Sequence, residues 1–560
     1  MEPGKGKFKY SGLLPFLVIA ILLAVSGGAI APLKSQPVYA SPGVLYVASG
    51  GNCNGYTPCY SSVQAAVNAA STGDVIKVAA GTYTGINNYG GSTQVLYINK
   101  TVTISGGYTT TNWDTPDPGV NPTTLDAQGQ GRVIYIVGSI SPVIEGLRIT
   151  GGQKDFGGGV FVDYAAPTLR NNQVYNNSAT GHQYSGGGGM YLHESAATLS
   201  NNTFTGNTAG WSGGGLQLHK SPATLINNTI TFNTASSGFG GGIHLSYSNA
   251  TLTGNTFISN TTTDTDIDEG GGAHLYYSNA WLTGNTFTSN TATYGGGLYI
   301  TWSDDTRLIG NTISSNTARD NGGGLHTYDS DITLTGNTIS SNTARDNGGG
   351  LFLSYSAPTL SGNIIIDNNA PGNGGGGLFL HRSDATFTNN VIADNQALLT
   401  GSGLYIMGSW PQLLHTTLVH NVGTGICIVN DSMDSPPRNS GVTLTNSIIV
   451  SHTLGIQIIS GNTANLNGTL WNGNSTNWSG SLTHSNDRYG VPAFVNPAAD
   501  DYHIIGPGSA AFDTGVASGV HNDMDNEPRP YQQYDLGADE YWPPGVLQYI
   551  YLPLILKSYQ

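Results

Sequence analysis

The chain has 560 residues, of which 80 are Gly and only 9% are charged, and its formal net charge is −15. So much Gly, with Asn, Ser and Thr beside it, argues against long α-helices, because these residues are weak helix formers. The acidic balance argues against nucleic acid and anionic lipid as partners and suits neutral ligands or cations.

At the N-terminus, Lys5, Lys7 and Lys9 precede an apolar run over 13–25, and Val38-Tyr39-Ala40 supplies a cleavage site. Residues 1–40 therefore read as a signal peptide, and the protein is expected to be secreted, extracellular or cell-surface associated. The run is short for a membrane span, and Gly27-Gly28 interrupts its continuation. Cys53 and Cys59 are close enough for a small disulfide loop, which suits an oxidising compartment. Cys427, in an apolar run, reads as a small buried hydrophobe. Residues 60–70 place Val63, Val67 and Ala70 on one helical face, as expected of a short helix that covers the open end of a stack. Alternating runs at 75–78, 95–98, 102–104, 133–137 and 143–149 make 41–150 an N-terminal cap with irregular first coils.

Residues 151–425 repeat. Glycine-rich triplets end at Gly159, Gly189, Gly215, Gly242, Gly272, Gly297, Gly324, Gly350, Gly377 and Gly403, a mean period of about 27 residues. An Asn follows each of the first nine (Asn172, Asn202, Asn228, Asn255, Asn285, Asn311, Asn337, Asn363 and Asn390), and another Asn stands five residues later, from Asn177 to Asn395. Leu or Phe precedes the first Asn by three residues, and short period-2 apolar runs are the mark of strands. The Asn columns suit left-handed turns and hydrogen bonds to their copies about 4.8 Å away. The fold class predicted is all-β: a right-handed parallel β-helix with about three short strands per coil. A leucine-rich repeat shares the period and the LxxN pattern, but the glycine triplets and paired Asn columns speak against it.

Several columns and clusters carry candidate chemistry. After each triplet, the first and third residues are apolar and expected to face inward; the second is expected to face water. That second column reads Phe161, Tyr191, Gln217, His244, His274, Tyr299, His326, Phe352, Phe379 and Tyr405. Tyr191, His244, His274, Tyr299, His326, Phe352 and Phe379, with Trp302 nearby, form a candidate ligand stripe: a platform for sugar rings, a surface for a partner protein, or simply a stabilising ladder. His193, Glu194, His219 and Lys220 lie on adjacent coils and supply a base and one cation toward lyase chemistry. In one coil alone the triplet-to-Asn distance is 14 rather than 13, with the extra residue at Asp304-Asp305; Asp329 and Asp331 follow one coil on. These four are candidate hydrolase carboxyls, a Ca²⁺ site or a solvated turn. The loop 261–269 carries Asp264, Asp266, Asp268 and Glu269, candidate Ca²⁺ ligands although the EF-hand pattern is not met. Arg319-Asp320 and Arg345-Asp346 are expected to form a surface ion-pair ladder. Last coils and a closing segment are expected over 426–542, where Asp523, Asp525 and Glu527 offer a second Ca²⁺ candidate or close a turn, and an apolar tail over 543–560.

The Gly-Gly-Gly-Leu…Asn-Thr-Ile-x-x-Asn-x-Ala repeat resembles the polymorphic outer-membrane-protein repeats of pectin-lyase-like β-helices. Ser62-Val-Gln-Ala-Ala-Val…Gly73-Asp-Val-Ile…Gly81-Thr-Tyr is similar to the N-terminal cap of that class. His521-Asn-Asp-Met-Asp-Asn-Glu-Pro-Arg-Pro…Asp535-Leu-Gly-Ala-Asp-Glu-Tyr541 resembles the closing segment of secreted choice-of-anchor proteins, and the final tail resembles terminal Tyr-Leu-Pro-Leu tails, which implies a sorting or retention role. The resemblance implies the fold; its members range from lyases, hydrolases and esterases to adhesins. Polygalacturonase motifs are missing, and Lys and Arg are sparse in the array. The chain is therefore expected to be a monomeric surface or secreted protein that binds a polysaccharide, a cell-surface glycan or another surface protein. Lyase or glycoside-hydrolase activity on the same face is the alternative. No nucleotide or redox cofactor is indicated, and Ca²⁺ is the one ion the sequence suggests.

Overall fold

The computed structural model describes residues 42–544 except 182–183, 265–267 and 433–435. The signal-peptide region, Asp266 and all but the first two residues of the apolar tail lie outside the described residues. Between Val44 and Tyr489 the chain winds through about fifteen turns of a right-handed parallel β-solenoid. A representative coil runs through strands Leu216–His219, Thr224–Ile226, Thr229–Thr231 and Thr234–Ala235. The first of these belongs to a 16-stranded sheet, the second and third to a 32-stranded sheet that bends at the first Asn, and the fourth to a nine-stranded sheet. The three expected strands per coil are thus three sheets served by four short segments.

In-register stacking builds the core. Leu199, Leu225, Leu252, Leu282, Leu308 and Leu334 are Cα partners in successive coils, each fully buried. Phe257 and Phe287 stack at 4.6 Å with an interplanar angle of 3°. One continuous apolar column fills the tube from Leu45 to Trp471. The glycine triplet is required by closeness: a Cβ on Gly214 would meet the Gly241 carbonyl at 2.5 Å and Thr234 backbone atoms at 2.6 Å.

Both Asn columns are buried and fully engaged. Asn228 Nδ2 donates to Leu199 O and to Asn255 Oδ1, each at 2.9 Å, and its backbone N–H donates to the same Oδ1 at 2.9 Å. The ladder expectation holds, but the left-handed residue is the one before each Asn: Asn201, Asn227, Gly254 and Gly284 at the first corner, Asn176, Gly206 and Ser259 at the second. The Asn itself must keep its amide pointing inward, so its neighbour takes the turn. A third ladder, unanticipated, runs through buried serines: Ser221 N–H donates to Ser248 Oγ and Ser248 N–H to Ser278 Oγ, both at 2.9 Å.

The helix Val63–Ala69 lies over the first coils, with Val63, Ala66 and Val67 buried and Ser62 as its N-cap. Its Gln64 exchanges hydrogen bonds with the backbone of Tyr97, replacing a missing strand at the edge. The closing segment packs against the flank of the solenoid: Tyr502, Ile504, Ala511, Leu536 and Ala538 cover Ile366, Val391, Val419 and Ile448. Buried Arg529 anchors it, reaching His415 Nδ1 at 2.6 Å and Glu540 Oε2 at 3.2 Å.

Candidate binding groove

The residue two past each triplet does point away from the tube, but in seven of the ten coils it does not face water, and Phe161, Tyr191 and Tyr405 are only partly exposed. Gln217, His244, His274, Tyr299, His326, Phe352 and Phe379 are all buried, with 1–8% of their surface exposed. The expected open stripe is overturned by the segment ahead of each triplet, which folds back over it. Phe156, Gly186, Ser212, Phe239, Glu269 and Tyr294 form a bridged ladder three residues before successive third glycines. Their side chains lie over the strand: Phe156 meets Tyr191 at 5.3 Å between ring centroids, and Phe239 meets His274 at 4.8 Å.

The result is a groove of about 750 Å³ running along the solenoid axis. Its floor is Tyr191, Gln217, His244, His274 and Tyr299; one wall is Phe156, Trp211, Phe239 and Glu269; the other is Tyr276, Trp302 and Tyr328. Of the predicted ligand stripe, Tyr191, His244, His274, Tyr299 and Trp302 line it. His326, Phe352 and Phe379 do not: they continue the column beyond the groove, where Phe352 and Phe379 stack at 5.1 Å under cover. The wall residues Phe156, Trp211 and Phe239 were missed from sequence. Phe156 and Phe239 share an offset of three residues from their third glycines, with Trp211 one residue further back; that was the available signal, obscured by loops of unequal length.

Along one wall runs an exposed rim, the residue five past each third glycine. It includes Tyr164, Tyr247, Tyr277, Trp302 and Tyr355, 39–53% exposed, all with φ between 51° and 57° except Tyr277 at 47°. Tyr247 and Tyr277 stack at 5.3 Å and Tyr277 and Trp302 at 5.2 Å. A bulky residue in the left-handed region costs about 1–2 kcal/mol. In the nine regular coils the two Asn corners place Asn, Gly, Ser or Asp at their left-handed positions, with Phe232 the exception.

The groove is electrically quiet. None of the described residues that line it is Lys or Arg, and Glu269 is its one carboxyl. Burial lifts the Glu269 carboxyl to about 7, against a hydrogen bond from Tyr299 that lowers it. His274 Nε2 lies 3.3 Å from Glu269 Oε2, and burial holds His274 well below the usual imidazole range. Burial likewise takes His244 down to about 3, so both rings are neutral at pH 7. Among the described residues, Ser212 Oγ, Gln217 Oε1 and both nitrogens of His244 are buried without a hydrogen-bond partner.

The other candidates lie elsewhere. Asp304, Asp305, Asp329 and Asp331 are exposed and outside the groove. The extra residue is absorbed by a turn closed from Thr306 N–H to Ser303 O, and Asp304 Oδ1 accepts from Asp331 N–H at 3.2 Å. Of their three readings, the solvated turn is the one this placement fits, and not groove carboxyls: they serve a surface turn ladder. His193 pairs with Asp163 at 2.7 Å and stacks on His219 at 5.8 Å, while Glu194 and Lys220 pair at 3.6 Å; none of the four lines the groove. In the acidic loop, Asp268 Oδ1 accepts from Gly238 N–H at 3.0 Å and Glu269 turns into the groove, so these two do not share one ligand position. Arg319 leaves the expected surface ladder for the Asp264 and Thr262 carbonyls, with its Nη1 3.6 Å from Asp268; Arg345 pairs with Asp320 and Asp346 as expected. Asp523 closes a turn on the N–H groups of Asp525 and Glu527. His503, Asp525 and Asp539 are, among the described residues, the one group close enough to share a metal ion. His503 is already bonded on both nitrogens, to Asp501 and Asp525 at 2.6 Å each. Cys53 and Cys59 are disulfide-bonded and Cys427 is a buried free thiol.

A family model described as a right handed beta helix region matches residues 61–230, 133–313, 214–375 and 309–440. Comparison with curated protein sequences gives no match. Among solved structures, pectate lyase Pel9A is similar at 13% identity, over 90% of this chain and 97% of that one, with a TM-score of 0.22. The A-module of the mannuronan C-5 epimerase AlgE6 of Azotobacter vinelandii matches at 14% identity, over 77% of this chain and 94% of that one, with a TM-score of 0.26. PfbA, a surface adhesin of Streptococcus pneumoniae, matches at 9% identity, over 76% and 87%, with a TM-score of 0.22. At these values the likeness says nothing of ligand or activity.

Proposed function

The chain belongs to the right-handed β-helix family, and on that scaffold we propose that the groove and its aromatic rim bind a polysaccharide or a cell-surface glycan outside the cell. The observation that carries this reading is the rim. Five aromatic residues occupy left-handed positions at a corner whose other members are Glu194, Lys220, Asp329, Arg382 and Gly408, whereas the two Asn corners of the nine regular coils use Asn, Gly, Ser or Asp apart from Phe232. Stability favours the small residues there, so a row of exposed rings at that cost points to recognition. Sugar rings present C–H faces to aromatic groups and hydroxyls to polar ones, and the groove offers both. The extracellular setting is supported by the N-terminal sequence and by the Cys53–Cys59 disulfide. No helix among the described residues is long and apolar enough to cross a membrane.

Binding is favoured over cleavage because the described residues give the groove one carboxyl, whereas paired carboxyls are the usual requirement for glycoside hydrolysis. Nor do its described lining residues include the cation that a uronate lyase sets against its substrate's charge. The test is a variant carrying Tyr247→Asn, Tyr277→Asn and Trp302→Asn. It should unfold at higher denaturant concentration than the parent and lose retention on polysaccharides that retain the parent. A triple variant that still binds, or one that is less stable, would remove the basis for this reading.

A further inference from the structure

Resting on the glycan reading above, we infer that the groove takes a neutral, linear glycan lying along the solenoid axis, with its polar subsite at Gln217, His244 and His274. Three observations lead there. The first is charge. Among the described residues no Lys or Arg lines the groove and Glu269 is the one carboxyl, and the whole chain is acidic at −15. A polyuronate would bring its carboxylates to walls whose described residues offer no counter-charge, and desolvating them there is unfavourable.

The second is shape. The lining residues come from seven successive coils, from Phe156 to Tyr328. At about 4.8 Å per coil the groove is roughly 25–30 Å long. A compact ligand touches two or three coils; a chain of several sugar units touches all seven. The rim rings, 5.2–5.3 Å apart, repeat along the same direction.

The third is the distribution of unsatisfied polar atoms. Gln217, His244 and His274 are consecutive partners in the floor sheet. Gln217 Oε1, both His244 nitrogens and His274 Nδ1 are buried and unpartnered, as is Ser212 Oγ on the wall beside them. Other unpartnered buried atoms of the array, at Ser185, Thr262, Asp268, Thr293, His326, Thr327 and Asn389, are spread over many coils, whereas those of Gln217, His244 and His274 stand on three consecutive coils of one floor. Neutral imidazoles and an amide accept and donate to hydroxyls without demanding a charge. These atoms are covered by neighbouring side chains, so a hydroxyl reaches them by displacing the ring above. The same column holds Phe at 352 and 379. The scaffold therefore tolerates an apolar ring here, and the polar choice at 217, 244 and 274 needs a separate reason.

The experiment is calorimetric titration of the purified protein with β-1,4-linked hexasaccharides of glucose, mannose and xylose, and with hexagalacturonate and hexamannuronate. The inference expects at least one neutral hexasaccharide to bind, with at least tenfold preference over both uronates at matched ionic strength. It expects His244→Phe and His274→Phe each to weaken that binding at least tenfold. The circular-dichroism spectrum and denaturation midpoint of each variant establish that it is folded; should one fail, Gln217→Leu serves in its place. Preferential uronate binding overturns the inference while leaving the glycan reading standing. Neutral binding unchanged in these variants overturns the polar subsite. No binding of either class overturns both.

Discussion

Replacing His244 by Phe should make the protein more stable and a poorer binder. His244 is 7% exposed, stacks on His274 at 5.0 Å and has no hydrogen-bond partner on either nitrogen. Each unsatisfied buried polar atom costs about 1–3 kcal/mol. A Phe ring removes both, against an overpacking cost of about 1 kcal/mol or more. A net gain of about 1–3 kcal/mol at pH 7 follows. Acid widens the gap. Burial holds the folded-state imidazole at about 3 while the unfolded chain titrates near its model value of 6.5, so on acidification the unfolded state takes up the proton first. The parent therefore loses stability as the pH falls from 6.5 toward 3, and the variant lacks this loss. Between pH 7 and pH 5 the difference should grow by about 2 kcal/mol. Guanidinium unfolding of both proteins at the two pH values measures it. A variant less stable than the parent at pH 7, with a difference unaffected by acid, would refute the reasoning and give His244 a structural role.

Asn255→Leu breaks one rung of the first ladder. It orphans the Leu225 carbonyl together with the Asn228 N–H and one Asn228 amide proton, so a loss of about 3–6 kcal/mol is expected in denaturant unfolding. Glu269→Gln should change the pH dependence in the opposite sense to the histidine. The carboxyl's folded-state value, about 7, lies above its model value of 4.5, so the parent's stability is full below about 4.5 and falls as the pH rises through 7. The Gln variant should gain up to about 3 kcal/mol on the parent across that window, read from midpoints at pH 4.5 and 8. Asp304→Asn with Asp305→Asn should leave glycan retention unchanged, since both side chains lie outside the groove; a lost interaction would return the site to that turn.

The solenoid is legible because stacking forces chemical repetition. Leu199, Leu225 and Leu252 must be alike to bury against one another, and Asn202, Asn228 and Asn255 must be alike to pass hydrogen bonds from coil to coil. Periodicity therefore exposes core and ladders directly. The groove is harder to read because its walls arise where repetition is relaxed. Ser212, Phe239 and Glu269 share an offset from the glycines but no common chemistry, and the loops before them differ in length. Alternation correctly placed His244 and Tyr299 on the outer face; only the chain folding back over that face decides whether outer means exposed. The same limit left the reading of Asp304 and Asp305 open between a site and a solvated turn: an insertion marks a local distortion, and its direction, here into a solvent turn, is a three-dimensional fact. The rim residue Trp302 stood out as an aromatic, yet its significance rests on a left-handed backbone that no sequence column displays.

The most direct test of the central claim is a crystal structure of the protein with the hexasaccharide it binds best in solution. The account predicts sugar density along the floor formed by Gln217, His244 and His274, between the Trp211–Phe239 wall and the Tyr277–Trp302 rim, with its chain parallel to the solenoid axis. Density on another face, or an unoccupied groove in crystals of a saturated complex, would contradict it.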